Sequence, residues 1–113
     1  MAIDDHQLTA SEALRRIRAG KLQPIEVMEA CLARIAEREP VVRAFAWLDA
    51  DAARKAAVAA RPGPLQGIPI GVKDVLDTAD MPSEYGSPIW NGWRRRADAA
   101  AVAWARAAGA VVI

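Results

Sequence analysis

The sequence predicts an α/β fold in which helices flank a small mixed sheet, with too few strands to cover the helices it must serve. Three observations lead there. Helical periodicity recurs in four stretches, short apolar segments separate them, and only three of those segments can be strands. Three helices precede the first convincing strand, so the pattern resembles one flank of a larger α/β domain. The whole of 1–113 is therefore read as a single unit, the N-terminal segment of that domain and by itself incomplete.

The first helix, about 9–19, opens on a capping box: Thr9 accepts from the Glu12 backbone N–H, and the Glu12 carboxylate reaches back to Thr9. Leu14 and Ile17 mark its buried side, and Gly20 supplies the left-handed residue that closes it. The second helix, about 24–39, begins at Pro24, whose missing N–H costs nothing at the first helical position. Ile25, Met28, Leu32 and Ile35 form its apolar stripe, and Pro40 is expected to stop it. Residues 43–48 are β-branched and aromatic enough for a strand. Asp49 or Asp51 then caps an alanine-rich helix over about 50–60. A second strand is expected over 67–73, where Gly67, Pro69 and Gly71 punctuate an apolar run. Residues 77–96 hold Pro82, Gly86, Pro88 and Gly92 and read as a long irregular loop, of a length that is uncommon in a compact unit and often functional. Asp98 is expected to cap a last helix over about 98–108, with Gly109 ending it and a strand at 110–113.

Composition narrows the function classes. With 113 residues, 53% hydrophobic and 26% charged, the chain is an ordinary globular unit. A chain of this size buries roughly 60–70% of its unfolded surface, so a modest core is feasible. The net charge of +1, with both signs interspersed, implies no nucleic-acid partner. Arg94, Arg95 and Arg96 read as a solvated turn. One cysteine, Cys31, cannot form an internal disulfide and sits at helical spacing among apolar residues, which fits a reducing compartment. Residues 1–6 lack an apolar segment and so do not read as a signal, and no run approaches the ~20 apolar residues that span a bilayer. The expectation is a cytoplasmic protein without membrane attachment, metal or cofactor.

The chemistry concentrates around Lys73. It closes the apolar 67–73 segment, with Asp74 and Asp77 directly behind it. Two readings are open on spacing alone. A lysine withdrawn from water loses charge and can serve as a base, or Lys73 forms an ion pair with Asp74 or Asp77, the reading spacing favours. A phosphate-binding loop is excluded. That motif needs Gly-Lys-Ser/Thr at a helix start, whereas Val72 precedes Lys73, Asp74 follows it, and Pro64 and Pro69 remove donors. Trp90 and Trp93 read as a pair covering a core edge or walling a pocket.

The run from Leu65 to Ser87 resembles the amidase signature family, whose pattern leads from Pro-Leu-x-Gly-x-Pro through Val-Lys-Asp to Asp-Thr-Ala-x-x-Pro and Gly-Ser. Leu65, Gly67, Pro69, Val72, Lys73, Asp74, Asp77, Thr78, Ala79, Pro82, Gly86 and Ser87 carry the match, and the flanking helices follow in the family's order. The resemblance implies a hydrolase that cleaves a carboxylic amide C–N bond of a small-molecule substrate through a serine, a serine in a cis peptide bond and a lysine. Lys73 matches that lysine, with Asp74 supporting it. The two serines belong to a Gly/Ser-rich segment downstream, and Ser11, Ser83 and Ser87 lie in no such setting, so the chain alone is expected to be inactive. Two further readings stand beside this one. The first is an A-type subunit of a glutamine-dependent tRNA amidotransferase, which shares the lysine and serines. The second is a non-catalytic assembly module, since unpaired strands and apolar helix faces invite self-association. Asp80, where the family usually has glycine, and Glu84 and Tyr85, which replace small or hydroxyl residues, depart from the pattern.

Overall fold

Local signals along the chain become four helices in a computed structural model that describes residues 5–113. Residues 1–4, part of the segment read as lacking a signal, lie outside the described residues. After a 3₁₀ turn at Asp5–Gln7 come helix α1 (Ala10–Arg18), α2 (Pro24–Val42) and α3 (Ala50–Val58). Strand β1 (Pro69–Ile70) follows, then a second 3₁₀ turn at Pro88–Trp90, helix α4 (Ala100–Ala107) and strand β2 (Val111–Val112).

The first three helices have ends fixed by named groups. The Thr9 hydroxyl accepts from the Glu12 N–H at 3.2 Å. Glu12 does not reach back as expected, because its carboxylate is taken by Arg15 at 2.7 and 2.8 Å and Arg16 at 2.8 Å. At the other end Gly20, with φ +67°, donates to Ile17 while Lys21 donates to Arg16, the paired bonds of a Schellman cap. Pro24 occupies the first turn of α2, where the Gln23 N–H donates to Glu26 at 2.7 Å. Asp49 caps α3 by accepting from Ala52 at 2.9 Å.

Several expectations fail. Pro40 does not stop α2, which continues to Val42. A proline in the last turn forfeits only one backbone bond, too little to break a helix about to end. Residues 43–48 form no strand: Arg43 is the left-handed C-cap of α2, with φ +51°, and nothing among the described residues pairs with the residues that follow it. The 67–73 strand shrinks to Pro69–Ile70 and the last strand to Val111–Val112. Asp98 does not cap α4; Ala99 holds that position, and the Asp98 carboxylate accepts from Ala79 N–H at 2.8 Å and pairs with Arg106 at 3.1 Å.

The strands run parallel, Pro69 beside Val111 and Ile70 beside Val112. Hydrogen bonds from Leu65 to Ala108, Gly67 to Gly109, Val111 to Ile68 and Ile113 to Ile70 extend the contact on both sides. Close approach makes Gly67 obligatory: its φ is +70°, and a Cβ there would lie 2.3 Å from the Pro24 Cβ. Two apolar clusters result. Ala13, Leu14, Ile17, Leu22, Val27 and Ile68 join α1 and α2 to the strand entry. Met28, Leu32, Ala53, Ala57 and Val111 join α2 and α3 to β2. The sheet thus holds the residues that follow β1 at one edge of the helical layer.

Candidate functional site

Immediately after β1 the chain leaves the sheet as Gly71, Val72 and Lys73, so the strand fixes where the lysine begins its reach. Lys73 lines a cleft of about 540 Å³ with Phe45, Trp47, Leu76, Met81 and Tyr85 among its neighbours. The side chain is exposed, so the expected withdrawal from water is not met. The reason is plain in the fold: a two-residue strand and an irregular loop supply walls but no cover. The competing ion pair is not met either. No carboxylate among the described residues pairs with Lys73, and both candidates are engaged elsewhere.

Asp74, half-buried, turns both carboxylate oxygens to the Glu84 backbone N–H at 3.0 and 3.1 Å. It therefore ties the segment after Lys73 to the far side of the loop. Asp77 accepts from the Tyr85 hydroxyl at 2.5 Å and from Arg95 Nε at 3.0 Å. The Tyr85 bond, and then Arg95, hold the Asp77 carboxyl below its ordinary range, and the same bond raises the Tyr85 phenol. Asp77 also fastens the loop to α4, since its carbonyl accepts from the Ala99 N–H at 2.9 Å.

Of the serines, Ser83 is fully buried, its hydroxyl accepting from the Thr78 N–H at 3.3 Å. Ser87 caps the Pro88–Trp90 turn, and Ser11 is exposed in the first turn of α1. Ser83 and Ser87 therefore serve the backbone, as loop serines commonly do. Asp80 keeps a negative φ and pairs with Arg106 at 2.7 Å, so the aspartate in the glycine position strains nothing. The strain falls on Tyr85, whose φ is +55°. Sequence reasoning missed the linkage of Asp77, Tyr85 and Arg95, and only the departure of Tyr85 from the family pattern hinted at it.

Trp90 and Trp93 stack edge to face at 5.7 Å, and Tyr85 meets Trp90 at 5.8 Å. Arg94 lies over the Trp47 ring at 5.4 Å, joining the 43–48 segment to the loop. Arg95 is paired with Asp77, so the arginine run is partly built into the loop and is not simply a solvated turn. Among the described residues no group of three or more His, Cys, Asp and Glu is placed to hold a metal ion, and no helix is long and apolar enough to cross a membrane.

Known proteins resemble this chain in sequence and in fold. A family model described as Amidase matches residues 26–113. The A-type subunit of glutamyl-tRNA(Gln) amidotransferase from Chloroflexus aggregans is 46% identical over 116 residues, covering 96% of this chain and 24% of that protein. Its counterpart in Chloroflexus aurantiacus is 43% identical with the same coverage. Among solved structures, the native peptide amidase of Stenotrophomonas maltophilia superimposes with a TM-score of 0.87 at 33% identity, covering 98% of this chain and 25% of that one. The chain thus spans about a quarter of the length of the relatives it matches.

Proposed function

This chain belongs to the amidase family of hydrolases, and on that premise we propose that it contributes the catalytic lysine, Lys73, to an enzyme that cleaves carboxylic amides. The supporting observation is the position of Lys73: directly beyond β1, free of any ion pair among the described residues, and on the wall of a cleft. In the proposed reaction a serine hydroxyl attacks the amide carbon. Its proton passes through a bridging serine to the neutral lysine amine, which later returns a proton to the departing amine. Backbone N–H groups near the serines hold the oxyanion, and water releases the acid. Both serines lie outside these 113 residues, and further chain packed over the cleft supplies the desolvation that a neutral lysine requires. Asp74 supports the site by holding the loop through Glu84. The isolated chain is accordingly inactive.

The test uses the full-length chain that includes the serine segment. Lys73→Ala is expected to lower amide turnover about 10²–10⁴-fold. Undiminished hydrolysis by that variant rejects the role.

A second reading is favoured by the 43–46% identity to amidotransferase subunits. There the same amide cleavage acts on glutamine, and the ammonia passes to a carboxylate carried on tRNA. Ammonia release from simple amides without a partner subunit selects hydrolysis; release only from glutamine with a partner selects transfer. We further place the protein in the cytoplasm, with no contact to nucleic acid or membrane by this segment. Exposed apolar residues such as Val41, Ile89 and Trp104 favour self-association of the isolated chain. Light scattering that shows only monomer rejects that last point.

A further inference from the structure

Between Glu84 and Ser87 the loop reverses direction through a turn closed by the Ser87 N–H donating to the Glu84 carbonyl at 3.0 Å. Both central residues have positive φ, 55° at Tyr85 and 69° at Gly86, the signature of a type I′ turn. Glycine, asparagine and aspartate favour such positions, because a larger side chain crowds its own backbone there. A tyrosine held in this conformation is strained, and strain of this kind persists only where surrounding contacts impose it.

Those contacts engage both the hydroxyl and the ring. The hydroxyl donates to Asp77, which is itself braced by Arg95. The rings of Tyr85 and Trp90 meet edge to face, at 5.8 Å and 85°. So fixed, Tyr85 lines the cleft that holds Lys73, together with Phe45, Trp47, Val75, Leu76 and Met81. The charged groups on the same lining are Lys73, Asp74 and Glu84, one cation against two carboxylates. Such a cleft repels an anionic ligand and gains by taking apolar surface out of water.

We propose that Tyr85 is a specificity-determining residue of the Lys73 cleft, selecting uncharged amides with an aromatic or branched aliphatic substituent over amides that carry a carboxylate. The proposal rests on the reading of Lys73 as the lysine of an amide-cleaving site. Aromatic contact supplies the preference for the substituent, and the excess carboxylate supplies the rejection of anions.

The test is made in the full-length enzyme with benzamide, acetamide and succinamate. Tyr85→Asn removes the ring yet suits a left-handed turn, so it protects against a variant that merely misfolds. The benzamide-to-acetamide ratio of kcat/KM is expected to fall about tenfold or more, the scale of a lost apolar pocket contact. Tyr85→Phe, which keeps the ring and loses its tether to Asp77, should give a smaller fall. Equal losses on both substrates overturn the proposal while leaving amide cleavage intact. Binding is measured in parallel, by tryptophan fluorescence titration with benzamide or succinamate. At least tenfold tighter binding of benzamide, abolished by Tyr85→Asn, sustains the selectivity even if no amide is turned over, in which case only the hydrolase reading fails. Equal affinities, no binding of either probe, or tighter binding of succinamate overturns it.

Discussion

The helical layer and the 71–99 loop are ordered by opposite means. Every buried apolar side chain among the described residues lies between Ala13 and Ile68 or between Val102 and Val112. The two buried polar ones, Thr78 and Ser83, both lie in the loop. Burial of apolar surface holds the first region, and it is insensitive to direction. The loop has no apolar core of its own and depends on directed bonds: Ser83 to Thr78, Asp74 to Glu84, Asp77 to Tyr85 and Arg95, Asp98 to Ala79. Loop geometry, and with it the surroundings of Lys73, should therefore be alterable one hydrogen bond at a time without unfolding the layer beneath.

The largest test attacks the layer. Met28 is fully buried where α2 meets α3 and β2, and Met28→Ala is expected to cost about 2–5 kcal/mol through lost contacts and the cavity left behind. Chemical denaturation followed by far-ultraviolet circular dichroism measures it. Because β1, β2 and the start of the loop rest on this layer, near-ultraviolet signals from the loop tryptophans should vanish at the same denaturant concentration. Loop signals that survive the loss of helix would break the stated dependence.

What could be read in the sequence follows the same division. Thr9, Gly20, Pro24 and Asp49 act on backbone within four residues, so the helix boundaries they set were readable locally. Lys73 stood out as a candidate because a long run of residues around it matches a family pattern. The missing strand over 43–48 was not, since a strand exists only through a partner that local composition does not name. The Asp77 cluster was hidden for a related reason. Its partners stand 8 and 18 residues away, and nothing in the spacing distinguishes Tyr85 from any other loop aromatic. Asp98 illustrates the hazard: its position suits a helix cap, yet the fold commits its carboxylate to Ala79 and Arg106.

A smaller test removes one loop bond. Ser83→Ala leaves the buried Thr78 N–H without its acceptor, at a cost of about 1–3 kcal/mol. If the two regions are separable, native-state hydrogen exchange will quicken at Thr78 and its loop neighbours while amides around Met28 keep their protection. A fall in the global denaturation midpoint as large as that of Met28→Ala would show one cooperative unit instead.

The smallest expected effect comes from acid, which reaches a depressed carboxyl in each region. Arg15 and Arg16 hold Glu12 down to about 2, from an ordinary 4.5, by hydrogen bonds to its carboxylate. Tyr85 and Arg95 likewise lower Asp77. A carboxyl that is more acidic folded than unfolded binds fewer protons in the native state, so it stabilises above its ordinary pKa. For Glu12 that contribution is complete above pH 4.5 and is lost as pH falls toward about 2; for Asp77 it disappears as pH falls through its lowered value. Both groups are solvent-accessible, so the effects are modest and should shrink further in molar salt. Glu12→Gln should flatten the acid loss of helical dichroism and leave the Tyr85 ring resonances unmoved. Asp77→Ala, which removes the acceptor of the Tyr85 hydroxyl, should do the reverse, releasing the Tyr85 ring already at neutral pH with little change in helix content. If either substitution moved both signals, the layer and the loop would share their electrostatics, and the division between a core held by burial and a loop held by directed bonds would not stand.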